Sequence, residues 1–126
     1  MKTTTKLLLA LFCITFLTSC AKLGGNCGPS EFLGTWKGTA TCSQGEEQAT
    51  VTIFQNSDGT FLTRYSGIVL PTTLESCSVS GSGASGFGDL KTNYSINGDL
   101  EDEVLSVTIV TSGVKNKTCT VDLIKE

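Results

Sequence analysis

Residues 34–43 decide the fold, and they read Gly-Thr-Trp-Lys-Gly-Thr-Ala-Thr-Cys-Ser. Small or apolar side chains alternate with polar ones along this stretch. One face would hold Trp36, Gly38, Ala40 and Cys42, and the other Thr35, Lys37, Thr39 and Thr41. A period of two is typical of a strand that buries one face in an antiparallel sheet. We therefore expect a half-buried antiparallel strand with Trp36 on its inner face.

The same alternation recurs along the chain and predicts an all-β domain. Further strands are expected near residues 49–53, 60–66, 74–80, 90–96, 105–109 and 119–123. Polar segments at 43–47, 56–59, 97–99 and 112–117 predict turns between strands. About seven or eight strands joined by short turns indicate a small antiparallel meander that closes into a barrel or a sandwich.

Three finer expectations concern interruptions of this pattern. Pro71 is expected to end the strand before it, because proline cannot donate to a sheet ladder. Residues 81–88 include four glycines and are expected to form a mobile connection. No helix is expected after the N-terminal signal helix.

The N-terminus has the parts of a secretory signal. Lys2 and Lys6 accompany an apolar core at 7–17, whose helix of about 16 Å is too short for a hydrocarbon layer of about 30 Å. The residues Leu17-Thr18-Ser19-Cys20 resemble a bacterial lipobox. This resemblance implies a lipoprotein signal peptide at 1–19, acyl chains including palmitate on Cys20, and a place in the bacterial cell envelope. The alternative is an ordinary signal peptide, with Cys20 a plain thiol.

The rest of the chain is expected to form a lipidated tether at 20–31 and one β-barrel-like domain at 32–126. Ala21, rather than aspartate, follows Cys20 and by analogy implies sorting to the outer membrane. Loss of Lys2 and Lys6 with the signal would lower the formal net charge from −3 to about −5. The remaining cations are scattered along the chain, so we expect a membrane partner through the lipid and no nucleic acid.

The cysteines predict two disulfides. Of six cysteines, Cys13 lies in the signal and Cys20 carries the lipid. The four that remain, Cys27, Cys42, Cys77 and Cys119, allow three pairings. A zinc site is the alternative, but the cysteines lack a metal-binding spacing. If the last strand returns beside the first, the pairs are Cys42 with Cys119 and Cys27 with Cys77.

The composition leaves little for catalysis. Histidine is absent, which excludes Ser-His-Asp and Cys-His pairs and a histidine metal triad. We therefore expect no enzymatic activity, no cofactor and no metal. The acidic run at 99–103 lacks the spacing of a calcium loop and is expected to be a solvated turn. Candidate ligand contacts are Trp36 and Tyr65, although a single tryptophan in so small a domain is more often a residue that fills the core, and this is the favoured interpretation of Trp36.

Two resemblances bear on the fold. Gly34-Thr35-Trp36 resembles the Gly-x-Trp that opens the first strand of lipocalins and avidin-like barrels, and residues 51–53 and 58–61 resemble the second and third avidin strands. Avidins stack biotin between several tryptophans and this chain has one, so biotin binding is not implied. The chain also resembles small Thr/Ser-rich Bacteroidetes lipoproteins over most of residues 32–124. The shared features are Trp36-Lys37-Gly38-Thr39, Thr41-Cys42 and Thr118-Cys119-Thr120.

Two functions fit these expectations. The first is a lipid-anchored, non-catalytic binding domain for a small apolar molecule or an envelope component. The second is an inhibitor of a lysozyme or protease, which would insert the glycine-rich segment 80–88 into a foreign site. An enclosed apolar pocket of about 300 Å³ or more favours the first function. A filled core with a protruding loop favours the second.

Overall fold

The computed structural model describes residues 27–126. The expected signal peptide, Cys20 and most of the expected tether lie outside the described residues. A short helix and eight strands follow one another: α1 Pro29–Phe32, β1 Gly34–Cys42, β2 Gly45–Gln55, β3 Phe61–Tyr65, β4 Ile68–Glu75, β5 Ser78–Ser85, β6 Thr92–Glu101, β7 Val104–Gly113 and β8 Lys117–Lys125. Within 27–126, no helix has the length and apolar character needed to cross a bilayer.

The eight strands form a closed barrel in chain order. Every neighbouring pair is antiparallel, and β8 closes the barrel by pairing with β1, where Cys42 lies opposite Cys119. An even number of strands makes this closing pair antiparallel. The expected meander is confirmed, and it closes as a barrel rather than as a sandwich. Closure leaves no unpaired edge in the sheet.

Alternate residues of each strand fill the barrel. On β1 and β2 the buried side chains are Trp36, Ala40, Ala49, Val51 and Ile53. The other strands add aliphatic residues to the same core, namely Leu70, Val79, Ile96, Leu105, Val107, Ile109, Val121 and Leu123. The period of two in the sequence therefore predicted which faces are buried.

The helix α1 corrects the expectation that no helix follows the signal. Pro29 occupies its first turn, and the Gly28 amide donates to Glu31 Oε2 at 2.7 Å. Proline is favoured at this position because the missing N–H would have no helical partner. Phe32, the last residue, is fully buried against the barrel core. One turn of helix shows no periodicity in a sequence, and its stability depends on tertiary contacts such as the burial of Phe32.

Pro71 does not end a strand, because it lies inside β4 opposite Leu62 of β3. The pairing of β4 with β5 begins only at Thr72. On the β5 side, no sheet hydrogen bond requires a backbone N–H from residue 71, so a proline is tolerated there. The strand expected at 74–80 is instead divided by the turn Ser76–Cys77 between β4 and β5.

Residues 81–85 of the glycine-rich segment form part of β5 rather than a connection, and only 86–88 lie in the loop between β5 and β6. A Cβ atom on Gly83 would lie 2.8 Å from Leu70 Cδ2. The segment 97–99 is likewise part of β6 rather than a turn, and a Cβ atom on Gly98 would lie 2.4 Å from Ser106 O. These glycines permit close approach between strands and side chains where the barrel curves. The turn falls instead at Asp102–Glu103, where both φ angles are positive.

Both disulfides are those expected from the strand order: Cys42–Cys119 and Cys27–Cys77. The first joins β1 to β8, and the second joins the chain before α1 to the β4–β5 turn. Because Cys27 is bonded to the barrel and α1 packs against it, residues 27–31 are not a free tether. Any tether is therefore confined to residues before Cys27, which lie outside the described residues.

Candidate functional site

The barrel has two different ends. The helix end carries α1, the Cys27–Cys77 disulfide and the turns β2–β3, β4–β5 and β6–β7. The loop end carries the remaining turns, of which the β5–β6 loop at 86–91 is the longest. Since all strands run between these ends, a residue at one end is separated from the other by the length of a strand, about 25 Å for eight residues.

Trp36 fills the helix end. Its side chain is 1% exposed, and its Nε1 donates to the Phe32 carbonyl oxygen at 2.8 Å. Lys125 Nζ lies 5.1 Å from the centre of the indole ring and donates to the Glu31 carbonyl oxygen at 2.8 Å. The indole and the lysine thus hold α1 across this end through hydrogen bonds to two of its carbonyl oxygens. With its N–H already paired, Trp36 acts as a packing residue, the alternative considered from the sequence.

An ion pair lies at the mouth of the loop end, between side chains of β2 and β8. Lys117 Nζ donates to Glu47 Oε1 at 2.8 Å, and this hydrogen bond raises the pKa of Lys117 above its usual value. Tyr65, the second candidate ligand residue, lies nearby and is 9% exposed. Its pKa is raised mainly because burial disfavours the phenolate. The structure places Trp36 and Tyr65 on β1 and β3, where both lie beside Val51 of the intervening strand β2.

Three potential metal ligands meet just inside this mouth. The side-chain donor atoms of Cys42, Glu47 and Cys119 lie within 4.8 Å of one another, and Cys119 Sγ is 3.9 Å from Glu47 Oε1. Cys42 and Cys119 are bonded to each other, so neither offers a thiolate. Glu47 alone would be charged, and it is already paired with Lys117.

Within residues 27–126, every buried side-chain nitrogen or oxygen has a hydrogen-bond partner. The buried threonines follow this rule, since Thr63 Oγ1 lies 2.7 Å from Thr72 Oγ1. A site for a small polar ligand commonly presents donors or acceptors that only the ligand satisfies. The inward side chains of Trp36, Leu105 and Leu123 are each at most 1% exposed, so the interior around them is a packed core.

A groove of about 430 Å³ lies on the outer surface across β5, β6 and β7. Its lining includes Ser82, Asn93, Ser95 and Val110, which alternate with the buried residues of the same strands. The groove is open to solvent, and its lining mixes small polar side chains with apolar surface. It does not have the form of the enclosed apolar pocket that would favour a small apolar ligand.

The β5–β6 loop displays two large apolar side chains. Phe87 is 93% exposed and Leu90 is 75% exposed. The backbone around them is hydrogen-bonded: the Leu90 amide donates to Phe87 O at 3.0 Å, and the Lys91 amide donates to Gly88 O at 3.2 Å. Sequence reasoning singled out the glycines of this segment but not Phe87. An aromatic residue between two glycines was the available signal.

A neighbouring turn extends this apolar surface. The Val114 amide, in the β7–β8 turn, donates to the Lys91 carbonyl oxygen at 3.4 Å, and the Val114 side chain is 52% exposed. We call Phe87, Leu90 and Val114 the apolar tip. A protein surface rarely presents apolar residues together without a partner to cover them.

Charge is divided between the two ends. The turns of the helix end contain only acidic charged residues, Asp58, Glu75, Asp102 and Glu103. The loops that carry the apolar tip contain Asp89, Lys91 and Lys115. The expected solvated turn is the hairpin at Asp102–Glu103, and Asp99 beside it accepts a hydrogen bond from Ser78 Oγ at 2.7 Å. The apolar tip thus lies in the less acidic half of the barrel.

A scan against protein-family models, a search of curated proteins and a search of solved structures each found no match. The eight-stranded antiparallel barrel is compatible with a calycin-like fold. That compatibility concerns architecture alone.

Proposed function

We propose that this protein is a cell-envelope lipoprotein, anchored by acyl chains on Cys20, whose barrel is a non-catalytic domain that binds another protein. The packed barrel interior carries the second half of the proposal, because it favours recognition by an outer surface over enclosure of a small molecule. The lipobox resemblance at 17–20 supports the first half. The absence of histidine from the sequence supports a domain without acid–base catalysis.

The finer identity that we propose is a small Thr/Ser-rich lipoprotein with a calycin-like barrel. The Cys42–Cys119 bridge supports it, because the resemblance includes Thr41-Cys42 and Thr118-Cys119-Thr120 at the ends of the first and last strands. Ala21 after the lipidated cysteine supports sorting to the outer membrane.

The anchor would fix the orientation of the barrel. Cys27 lies seven positions after Cys20, so the chain between them spans at most about 25 Å. Cys27 is bonded to Cys77 at the helix end. A lipid on Cys20 would therefore hold the helix end nearest the membrane and direct the loop end away from it.

A small apolar ligand is the alternative function. It would need space among the inward side chains, but Trp36, Leu105 and Leu123 are each at most 1% exposed. At the mouth, the Glu47–Lys117 pair and the Cys42–Cys119 bridge occupy the entrance. An inhibitor of a lysozyme or protease is one form of the protein-directed function, in which the β5–β6 loop enters the foreign site.

Labelling with palmitate tests the anchor. The wild-type chain is expected to incorporate labelled palmitate, and Cys20→Ala is expected to incorporate none. Cys13→Ala is the matched control, because Cys13 lies in the expected signal peptide and its loss should leave labelling unchanged. Equal labelling of the wild type and Cys20→Ala would refute the lipoprotein assignment.

Affinity capture from intact envelope tests the binding function. The lipidated wild-type chain is crosslinked in place, purified, and assayed by mass spectrometry for both proteins and bound small molecules. We expect a stoichiometric protein and no stoichiometric small molecule. Recovery of a single apolar small molecule in place of a protein would favour the alternative.

A further inference from the structure

We propose that the apolar tip is a docking wedge, and that Phe87 enters an apolar pocket with acidic residues at its rim on a partner protein. This inference rests on the proposed protein-directed function and names the surface and the chemistry of its partner. It depends on exposure, on loop geometry and on the charges beside the tip.

Phe87 is displayed rather than packed. Its ring is 93% exposed while Phe32, on α1, is fully buried. A folded chain that had a place for this ring in its core would bury it, because removing apolar surface from water is favourable. Aromatic residues exposed beside other apolar side chains are typical anchors of protein interfaces.

The loop holds Phe87 in a defined position. Gly86 and Gly88, on either side, have φ angles of +87° and +56°, which residues with a Cβ atom rarely adopt. The Leu90 and Lys91 amides close the following 3-10 turn. At Gly86, a Cβ atom would also lie 2.4 Å from the Leu90 carbonyl oxygen. A loop ordered in advance loses less conformational entropy when it binds, which favours insertion into a preformed pocket.

The charges beside the tip indicate the partner. Lys91 ends the β5–β6 loop, and Lys115 follows Val114 in the adjacent turn. Asp89 is the only acidic residue of these two loops within the described chain. Complementary potentials steer association and suppress wrong partners. A pocket with an acidic rim therefore fits the tip better than a pocket with a basic rim.

The position of the tip favours a protein over the anchoring bilayer. The tip lies at the end of the barrel opposite Cys27 and Cys77. A lipid on Cys20 would hold that opposite end nearest the membrane. Phe87 would then face away from its own bilayer, toward whatever else occupies the envelope.

Site-specific photocrosslinking in cells tests the wedge. The full chain carries a benzophenone amino acid in place of Phe87 or, as a matched control, in place of Ile124, which is 65% exposed on β8 near the helix end. We expect a discrete protein adduct from position 87 and none of that size from position 124. No adduct from position 87, or adducts with lipid only, would overturn the proposal.

Competition then measures the contribution of the ring. The full chain with Cys20→Ala, which stays unlipidated, is added as a competitor for the partner, and formation of the adduct at position 87 is measured. A central interface anchor contributes about 2 kcal/mol or more, so Phe87→Ala in the competitor should weaken competition about 30-fold. Ile124→Ala should compete as well as its parent. Asp89→Asn should compete as well as its parent or better. Equal competition by Phe87→Ala, with its melting temperature unchanged, would overturn the wedge and leave the protein-directed function standing.

Vesicle binding tests whether a lipid bilayer, rather than a protein pocket, is the occupant of the apolar tip. The Cys20→Ala chain is sedimented with phosphatidylcholine vesicles, with and without phosphatidylglycerol. We expect the same unbound fraction for this chain and for its Phe87→Ala variant. Vesicle binding that Phe87→Ala abolishes would make a bilayer the occupant and overturn the proposal of a protein pocket.

Discussion

Trp36→Phe should loosen α1 from the barrel. The variant keeps an aromatic ring in the core but removes the indole N–H that donates to Phe32 O at 2.8 Å. That carbonyl would remain buried beneath the fully enclosed Phe32 without its partner. An unsatisfied buried acceptor costs about 1–3 kcal/mol, and the smaller ring adds about 1 kcal/mol of lost burial.

The expected destabilisation is therefore about 2–4 kcal/mol, which corresponds to a fall of about 10–20 °C in melting temperature for a domain of this size. Urea unfolding followed by far-ultraviolet circular dichroism measures it, because the variant lacks the single tryptophan of the chain. Limited proteolysis should show earlier cleavage before β1. A loss of less than about 0.5 kcal/mol, the usual range for a surface change, would refute the conclusion that the indole hydrogen bond holds α1 on the barrel.

A double-mutant cycle with Lys125→Met separates the two contacts of the indole. Lys125 lies over the ring at 5.1 Å and also donates to Glu31 O. Because both residues hold the same turn of helix, the two losses should not be additive, and a coupling of about 0.5 kcal/mol or more is expected. Additive losses would show that Trp36 and Lys125 act on separate parts of the fold.

The other predictions concern the Cys27–Cys77 disulfide, the close approach of strands at Gly98, and the pH dependence of stability. Cys27→Ala/Cys77→Ala opens a loop of 50 residues and should cost about 4 kcal/mol in urea unfolding; no loss of stability would contradict this. Gly98→Ala places a Cβ atom 2.4 Å from a backbone oxygen and should cost about 1–3 kcal/mol. Gly28→Ala, whose Cβ atom would have room, should change stability by less than about 0.5 kcal/mol. Burial raises the pKa of Tyr65 above its usual value. The contribution of its protonated side chain to the free energy of unfolding is therefore fully present below about pH 10 and is lost as the pH rises through the raised pKa. As the pH rises above about 9, the urea midpoint of Tyr65→Phe should fall less than that of the wild type.

Much of the fold was predictable because it depends on local alternation. Trp36, Ile53 and Leu105 were placed on buried faces from the period of two alone, and the structure buries each of them. The pairing of Cys42 with Cys119 followed from one further assumption, that β8 returns beside β1. These features need only the chemistry of a sheet with one apolar face.

The errors share one cause. Gly83, Gly98 and Pro71 have local preferences for turns and strand ends, but each lies within a strand. The neighbouring strands bring Leu70 and Ser106 so close to the two glycines that a Cβ atom would not fit. Propensities describe a chain without neighbours, and here the neighbours decide. The tip was missed in the same way, because exposure of Phe87 depends on how β5 and β6 end.

The sequence by itself determined the all-β class, the alternation of buried and exposed residues, and the set of cysteines from which the two disulfides form. The tertiary structure decided that the sheet closes at eight strands, that Trp36 seals the helix end, and that Phe87 stands exposed at the other. The physical reason is that hydrogen-bonding and burial patterns repeat every two residues along a strand, whereas closure, sealing and exposure depend on contacts between residues far apart in the chain.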